Sequence, residues 1–534
     1  MTSALTLDEF PPVSTEQWNE VVRADLKGVA PKTKLFYRAE DLAGLDYPDA
    51  APGAFPYTRG TRATNDWTIR QTVDDLADAQ AALDAGADEI NFVLGDHDVH
   101  EVLDALPACP VHFEAGGRAA ELLPALAGRQ LRGSVDYEPL ADFDRAAELI
   151  RAAQSLQFKP ATVRAFRFSE AGASAVQELA FALAEGIEIL DHIPDAAPAM
   201  AFSFAIGPNY FLEIARLRAA RTLWARVCES FGIDAQAAKM TICARTAHWT
   251  KSIYDAHVNL LRATTEAMAA AIGGADALQV EPFDNTYRAA DETSRRLARN
   301  TQLILKREAL LDRAVDAAGG AYYLESLTDS VAREVWTLLQ EIEAAGGFLK
   351  YPVGQGIAKS RADREAAVST RRTTIVGTNQ YPNLAERMLP KIESTDPAPR
   401  PARIFEEIRL RTERCGAPRF LLLEAGDLKM RKARSAFITN FLGCAGFEMQ
   451  ISDTLAGEFD AVVLCSSDPE YAKLAPRVIE QLRAAGKNTP VIVAGNPTES
   501  LDQLKQAGVA DFIHIRSNAA EVLRAWQDRL GVTG

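Results

Sequence analysis

Residues 163–206 read VRAFRFSEAGASAVQELAFALAEGIEILDHIPDAAPAMAFSFAI. The run Val163–Phe168 has the short apolar pattern of a buried strand, Ser174–Glu185 has the alanine-rich spacing of a helix packed on one face, and Met200–Ile206 is a second apolar run. Strand, helix, strand is the unit of a parallel sheet. The same order recurs on the N-terminal side, where Glu89–Leu94, Val111–Glu114 and Leu131–Val135 read as strands, and Leu76–Ala85 and Ala141–Leu156 as helices. On the C-terminal side Tyr210–Phe231 and Val258–Ile272 read as long helices, with Gly186 and Gly232 placed as helix-ending glycines. A repeat sustained over about three hundred residues favours a closed (β/α)8 TIM barrel over an open sheet.

The remainder divides around this barrel. The segment 1–55 carries prolines at 11, 12, 31, 48 and 52 and reads as an extended arm suited to a subunit contact. The barrel is assigned to 56–381. The stretch 382–412 opens with PNLAERMLPKIESTDPAPRP, proline and charge without periodicity, and is expected to be a linker. In 413–534, Phe420–Glu424, Ala461–Cys465 and Val491–Val493 are strand candidates, separated by helical patterns at Arg431–Leu442, Tyr471–Ala485 and Ser500–Ala507. That alternation predicts a small flavodoxin-like (Rossmann-like) α/β domain.

Composition narrows the function. Among 534 residues, 47% are hydrophobic and 25% charged, which describes a folded globular protein. The formal net charge of −15 opposes attraction to phosphate backbones and anionic lipid, so neither nucleic acid nor a membrane is an expected partner. With no basic-then-apolar leader and no apolar run of bilayer length, the chain is expected in the cytoplasm. Six cysteines (Cys109, Cys228, Cys243, Cys415, Cys444, Cys465) lie far apart without a C-x-x-C pair, so buried free thiols are a better reading than a metal site.

Five segments carry a resemblance to one family: Pro56–Gln71 (PYTRGTRATNDWTIRQ), Glu170–Ile187 (EAGASAVQELAFALAEGI), Phe204–Ala225, Asn259–Ala277 and Arg295–Leu303. In order and spacing they resemble the adenosylcobalamin-dependent acyl-CoA mutases, and nearly the whole chain is covered. The resemblance implies a barrel enclosing acyl-CoA, a C-terminal cobalamin-binding-type domain, and a radical interconversion of methylmalonyl-CoA and succinyl-CoA.

Catalytic members of that family hold cobalt with the histidine of a D-x-H-x-x-G loop. The corresponding positions here are Lys429, Arg431 and Arg434, and a guanidinium has no lone pair to offer a metal. The two other corrin-contact motifs appear as Ser466-Ser467-Asp468 and Ala494-Gly495, with Asp468 expected as an unpaired carboxylate. The arginine that clamps the substrate carboxylate falls at Ala199, and the Tyr-His pair before Glu-Ala-Gly at Phe166-Arg167. The loop Arg59–Trp67 is shortened and has lost its tyrosine. The active-site histidine falls at Ala247, with His248 one place along as the only catalytic remnant. His514, the one histidine beyond residue 257, reads as structural.

The resemblance therefore implies a domain degenerate for cobalamin, no cofactor and no catalytic residue in this chain, and the role of a small, non-catalytic subunit. Its partner would be a large catalytic subunit carrying adenosylcobalamin, in a heterodimer. Two other readings stand beside it: a self-sufficient mutase with an unusual cobalamin mode, and a chaperone-like interaction partner of a cobalamin enzyme, although no P-loop is present. Tyr57, Thr58 and Arg59 lie where catalytic members line the acyl-CoA channel and are the only substrate-binding candidates.

Overall fold

The computed structural model describes residues 14–25, 27, 53–126, 129, 131–153, 158–394 and 396–533. Most of the expected arm lies outside the described residues; within it, Thr15–Asp25 is a helix with Glu16 in its first turn and Arg23 in its last, signs that suit the helix dipole.

Strands β1 (Thr68–Val73), β2 (Glu89–Val93), β3 (Pro110–Glu114), β4 (Arg132–Val135), β5 (Phe158–Lys159), β6 (Ala161–Val163), β7 (Met200–Ile206), β8 (Ile242–Thr246) and β9 (Ala277–Gln279) form one parallel sheet. β5 pairs with β4 and β6 with β7, while β9 pairs with β1. Pro160, which has no N–H to donate, divides β5 from β6, so the two occupy one strand position of an eight-position ring. Thr162 Oγ1 donates to Val135 O at 2.8 Å and ties that position to β4.

Local signals explain the helices. In Ala175–His192, Ser174 Oγ accepts from Gln177 N and Gln177 Oε1 accepts from Ser174 N, a capping box at the start of the quoted segment. Two expectations change here. The strand ends at Val163, and Phe166–Ala171 is a short helix closed by Gly172 at φ 117°. Gly186 lies inside the helix rather than after it; a Cβ there would sit 2.7 Å from the Trp224 ring, so it is close packing that needs the glycine. Gly232, at φ 69°, follows the helix Tyr210–Ser230 as expected.

Outward-facing strand residues such as Phe202, Phe204 and Ile206 pack under the helices with Leu183, Ala219 and Trp224. The ring's interior is polar instead of the usual branched aliphatic filling. Arg70 is bonded to Glu89, and Asn91 Nδ2 donates to Glu114 at 2.8 Å and Thr72 at 3.0 Å, with Gln279 Oε1 3.3 Å away.

The second sheet has β10 (Arg419–Glu424), β11 (Glu448–Ser452), β12 (Ala461–Cys465), β13 (Val491–Val493) and β14 (Asp511–Phe512), all parallel, in the order β11-β10-β12-β13-β14. Counting β10 first, this is the 2-1-3-4-5 order of flavodoxin-like domains. The segment expected as linker contains most of a helix, Arg403–Cys415, whose Phe405 and Ile408 enter the second core, with Glu406 and Arg409 buried beside them. That helix also binds the barrel: Glu406 accepts from Ile253 N, and Tyr254 donates to Glu413. No described helix is long and apolar enough to cross a membrane.

Candidate functional site

All barrel strands point the same way, so the residues that follow them gather at one mouth. Arg245 near the end of β8 and Glu281 just beyond β9 meet there at 3.1 Å, with the Arg245 guanidinium 4.5 Å over the Phe166 ring. His248 lies between two carboxylates, Nδ1 at 2.9 Å from Glu281 and Nε2 at 2.9 Å from Asp396. Burial alone would lower the imidazole pKa, but Glu281 and the two hydrogen bonds outweigh it and raise it to about 10. Burial likewise opposes the charge on Glu281, yet His248 and Arg245 hold that carboxyl at about 2. Both nitrogens of His248 donate to carboxylates, which leaves no lone pair for a general base.

Asp396 belongs to a strap that crosses this mouth toward the second domain. Arg400, four residues on, makes a bidentate pair with Glu406 at 2.9 and 3.0 Å and donates to Lys251 O. Phe166 and His248 thus share the C-terminal mouth. Arg167 is held by Glu138 and Glu185. Ala199 ends the short turn that precedes β7, at the opposite end of the barrel. Of the positions that carry catalytic residues in the family, Phe166 and His248 lie at this mouth and Ala199 at the other end.

Tyr57, Thr58 and Arg59 also lie at the N-terminal end. The Tyr57 hydroxyl donates to Ala235 O at 2.5 Å and its backbone carbonyl accepts from Arg221 Nε; Thr58 and Thr222 share a hydrogen bond of 2.7 Å. Arg59 lies 3.1 Å from both Asp316 and Glu325, which also hold the buried Arg218. In this arrangement the three residues fasten the opening segment to the helix Tyr210–Ser230 and its neighbours.

Ligands of doubly wound domains sit beyond the strand ends at the point where strand order reverses, here between β10 and β12. Glu470 stitches that crevice together: its carboxylate accepts from Ser466 Oγ (2.7 Å), Ser467 Oγ (2.6 Å) and Asp427 N (3.1 Å). These hydrogen bonds, led by Ser467 and Ser466, hold its pKa at about 2. Gly426, at φ 73°, leaves room for it, since a Cβ there would lie 2.4 Å from Glu470. Asp468 is not unpaired as expected, because Arg434 binds it at 2.9 Å across the same crevice. The Tyr471 hydroxyl lies beneath, 2.7 Å from Ala494 O and 2.8 Å from Ser466 O, its one hydrogen shared between them.

Tested for cobalamin, the crevice does not fit. Lys429, Arg431 and Arg434 lie in the first turns of the helix Leu428–Gly443, capped by Asp427, and none can ligate cobalt. Beside them lie the Glu470 carboxylate, bonded to Ser466 and Ser467, and the Arg434–Asp468 ion pair. His514 accepts from Arg516 N in a turn beyond β14. Among the described residues no cluster of His, Cys, Asp or Glu could hold a metal ion.

Sequence reasoning missed Asp396 and Glu470, and it missed the barrel-lining pair His112–Ser134, hydrogen-bonded at 2.7 Å. The last could have been suspected from the alternation of polar residues along β3 and β4.

A sequence model described as methylmalonyl-CoA mutase matches residues 130–419, more than half of the chain. The chain is 38% identical to the methylmalonyl-CoA mutase small subunit of Porphyromonas gingivalis, over 98% of each protein. It is 32% identical to the small subunit of Streptomyces virginiae, again over 98% of each. To the methylmalonyl-CoA mutase large subunit of Streptomyces virginiae it is 28% identical, over 76% of this chain and 67% of that one.

Proposed function

This chain belongs to the methylmalonyl-CoA mutase family, and from that premise we propose that it is the non-catalytic small subunit of a heterodimeric mutase. The observation that carries the proposal is the crevice between β10 and β12, closed by the chain's own Glu470 and Arg434–Asp468 where a cofactor would enter. In this reading adenosylcobalamin and the interconversion of methylmalonyl-CoA and succinyl-CoA belong to a large partner subunit in the cytoplasm. The small subunit contributes a rigid surface: its barrel mouth is strapped by His248, Asp396 and Arg400, and Arg59 is committed to Asp316 and Glu325 rather than to a phosphate. A large subunit bound only to the folded small one is stabilised by mass action.

The test is co-expression with a large subunit, followed by gel filtration in adenosylcobalamin. Corrin absorbance is expected to co-elute with the complex and not with this chain alone. Stoichiometric corrin on the isolated chain, or failure to co-elute with any large mutase subunit, would overturn the proposal.

A further inference from the structure

Around the opening segment and the helix Tyr210–Ser230 the buried charges balance in groups, with one exception. Arg59 and Arg218 share Asp316 and Glu325, two cations on two carboxylates, and Arg62 lies 3.1 Å from Asp276. Arg221 is only 2% exposed, yet its partners are carbonyls: Nε donates to Tyr57 O at 3.1 Å and Nη1 to Gly274 O at 3.3 Å. Among the described residues no carboxylate pairs with it and nothing accepts from Nη2. Carbonyls satisfy N–H groups but bring no net charge, and a buried ion is ordinarily paired because the interior does not replace its lost hydration. Burial accordingly pulls the Arg221 pKa down to about 10; Asp276 and Asp316 oppose the fall from a distance, and Arg218 and Arg62 add to it.

The guanidinium borders a cavity of about 10 Å³, about the space that one water-sized sphere needs, whose wall also holds Arg59, Thr61, Arg62, Gly274 and Asp316. No strand residue lines it, so it lies outside the bore of the barrel. The carboxylate in that wall is already engaged, since Asp316 Oδ1 lies 3.0 Å from Arg218 and Oδ2 3.1 Å from Arg59. Thr61 offers donors: among the described residues neither its N–H nor its hydroxyl is given to another group. Gly274, at φ 80°, keeps the space beside the guanidinium clear, because a Cβ there would lie 3.2 Å from Nη1 and 3.4 Å from Nη2 of Arg221. Part-exposed side chains of Arg59 and Arg62, at 17% and 28%, form a rim through which a small ion can enter.

We propose that this cavity binds one small monovalent inorganic anion of chloride size, held by Arg221 together with the N–H and hydroxyl of Thr61. A single negative charge balances the one cation that the chain leaves unpaired, whereas a water molecule would satisfy the donors and leave the charge. A halide accepts from several N–H and O–H groups without a fixed geometry, and a space for one sphere has no room for a phosphate group. The bound ion joins the loop before β1 to the helix Tyr210–Ser230 and to Gly274, so occupancy stabilises the folded chain by mass action. The site involves neither a partner subunit nor the second domain, so its test is separate from that of the proposed function.

The test uses the full chain. Thermal melts are recorded at constant ionic strength while chloride replaces gluconate, an anion too large for the cavity, and crystals grown in bromide are measured at the bromine absorption edge. The Tm is expected to rise with chloride and to saturate, by roughly 2 °C between about 1 and about 100 mM for a Kd of about 10 mM. One anomalous peak is expected between Arg221 and Thr61. Arg221→Met should remove both signals, and the wild-type peak decides the matter if that variant does not fold. Excess coenzyme A should leave the chloride response unchanged. A Tm indifferent to the exchange of gluconate for chloride, no bromide peak at Arg221, or a chloride response that coenzyme A abolishes would overturn the proposal.

Discussion

Replacing His248 with alanine tests whether the strapped mouth is held by charge. The imidazolium joins Glu281 of the barrel to Asp396 of the strap, with only 17% of its side chain exposed. Removing one member of a buried ion pair usually costs about 3–5 kcal/mol because its partner is left uncompensated. Arg245 remains on Glu281 and Arg400 on Asp396, so the lower end, about 3 kcal/mol, is expected. With an unfolding entropy of about 2.1 cal/mol/K per residue, a barrel of this size should melt about 5 °C lower.

The pH dependence carries the sign. The folded-state pKa of His248 is raised to about 10, above its ordinary 6.5, so its stabilisation is complete below about pH 6.5 and is lost as pH rises toward 10. Glu281, lowered to about 2, contributes fully above its ordinary value near 4.5 and loses that contribution as pH falls toward 2. Differential scanning calorimetry of wild type and His248→Ala should therefore show the widest gap near pH 5–6.5 and little gap near pH 10. An equal gap at all pH values, or none, would refute the electrostatic account of the strap.

Three further outcomes follow from the same geometry. Gly186→Ala should lower the denaturant midpoint, because a Cβ 2.7 Å from Trp224 overpacks a core at a cost of about 1–3 kcal/mol, more than the helix propensity of alanine returns. Glu470→Gln should speed amide exchange at Asp427, whose N–H donates to that carboxylate, while the barrel's exchange is unchanged; in wild type the same loosening should appear as pH falls from about 4.5 toward 2. Arg431→His should restore an imidazole yet retain no corrin after gel filtration, since Glu470 and the Arg434–Asp468 pair still cross the crevice.

Much of the fold was legible without coordinates. Apolar runs separated by amphipathic stretches announced parallel α/β architecture, and Val258–Ile272, Ala461–Cys465 and Val491–Val493 are found within the bounds their patterns suggested. Periodicity succeeds there because each element buries one face against a neighbour of fixed geometry. It failed at Arg403–Cys415, where Phe405 and Ile408 are the apolar face of a helix hidden among charges and beside prolines, and at Gly186, whose neighbour Trp224 lies on another helix.

What the amino-acid sequence determined by itself was the kind of fold and the identity of the side chains at the family's positions: Arg431 cannot ligate cobalt wherever it lies, because that is a property of the guanidinium. What a side chain meets was decided only by tertiary structure. His248 became a clamped cation because the chain brings Asp396 to it from 148 residues away. Asp468 found Arg434 across the crevice, and Asn91, His112, Ser134 and Lys159 form one row because four strands share a register. Charge and lone pairs are local, whereas burial, pairing and the pKa they set depend on residues that only folding makes neighbours.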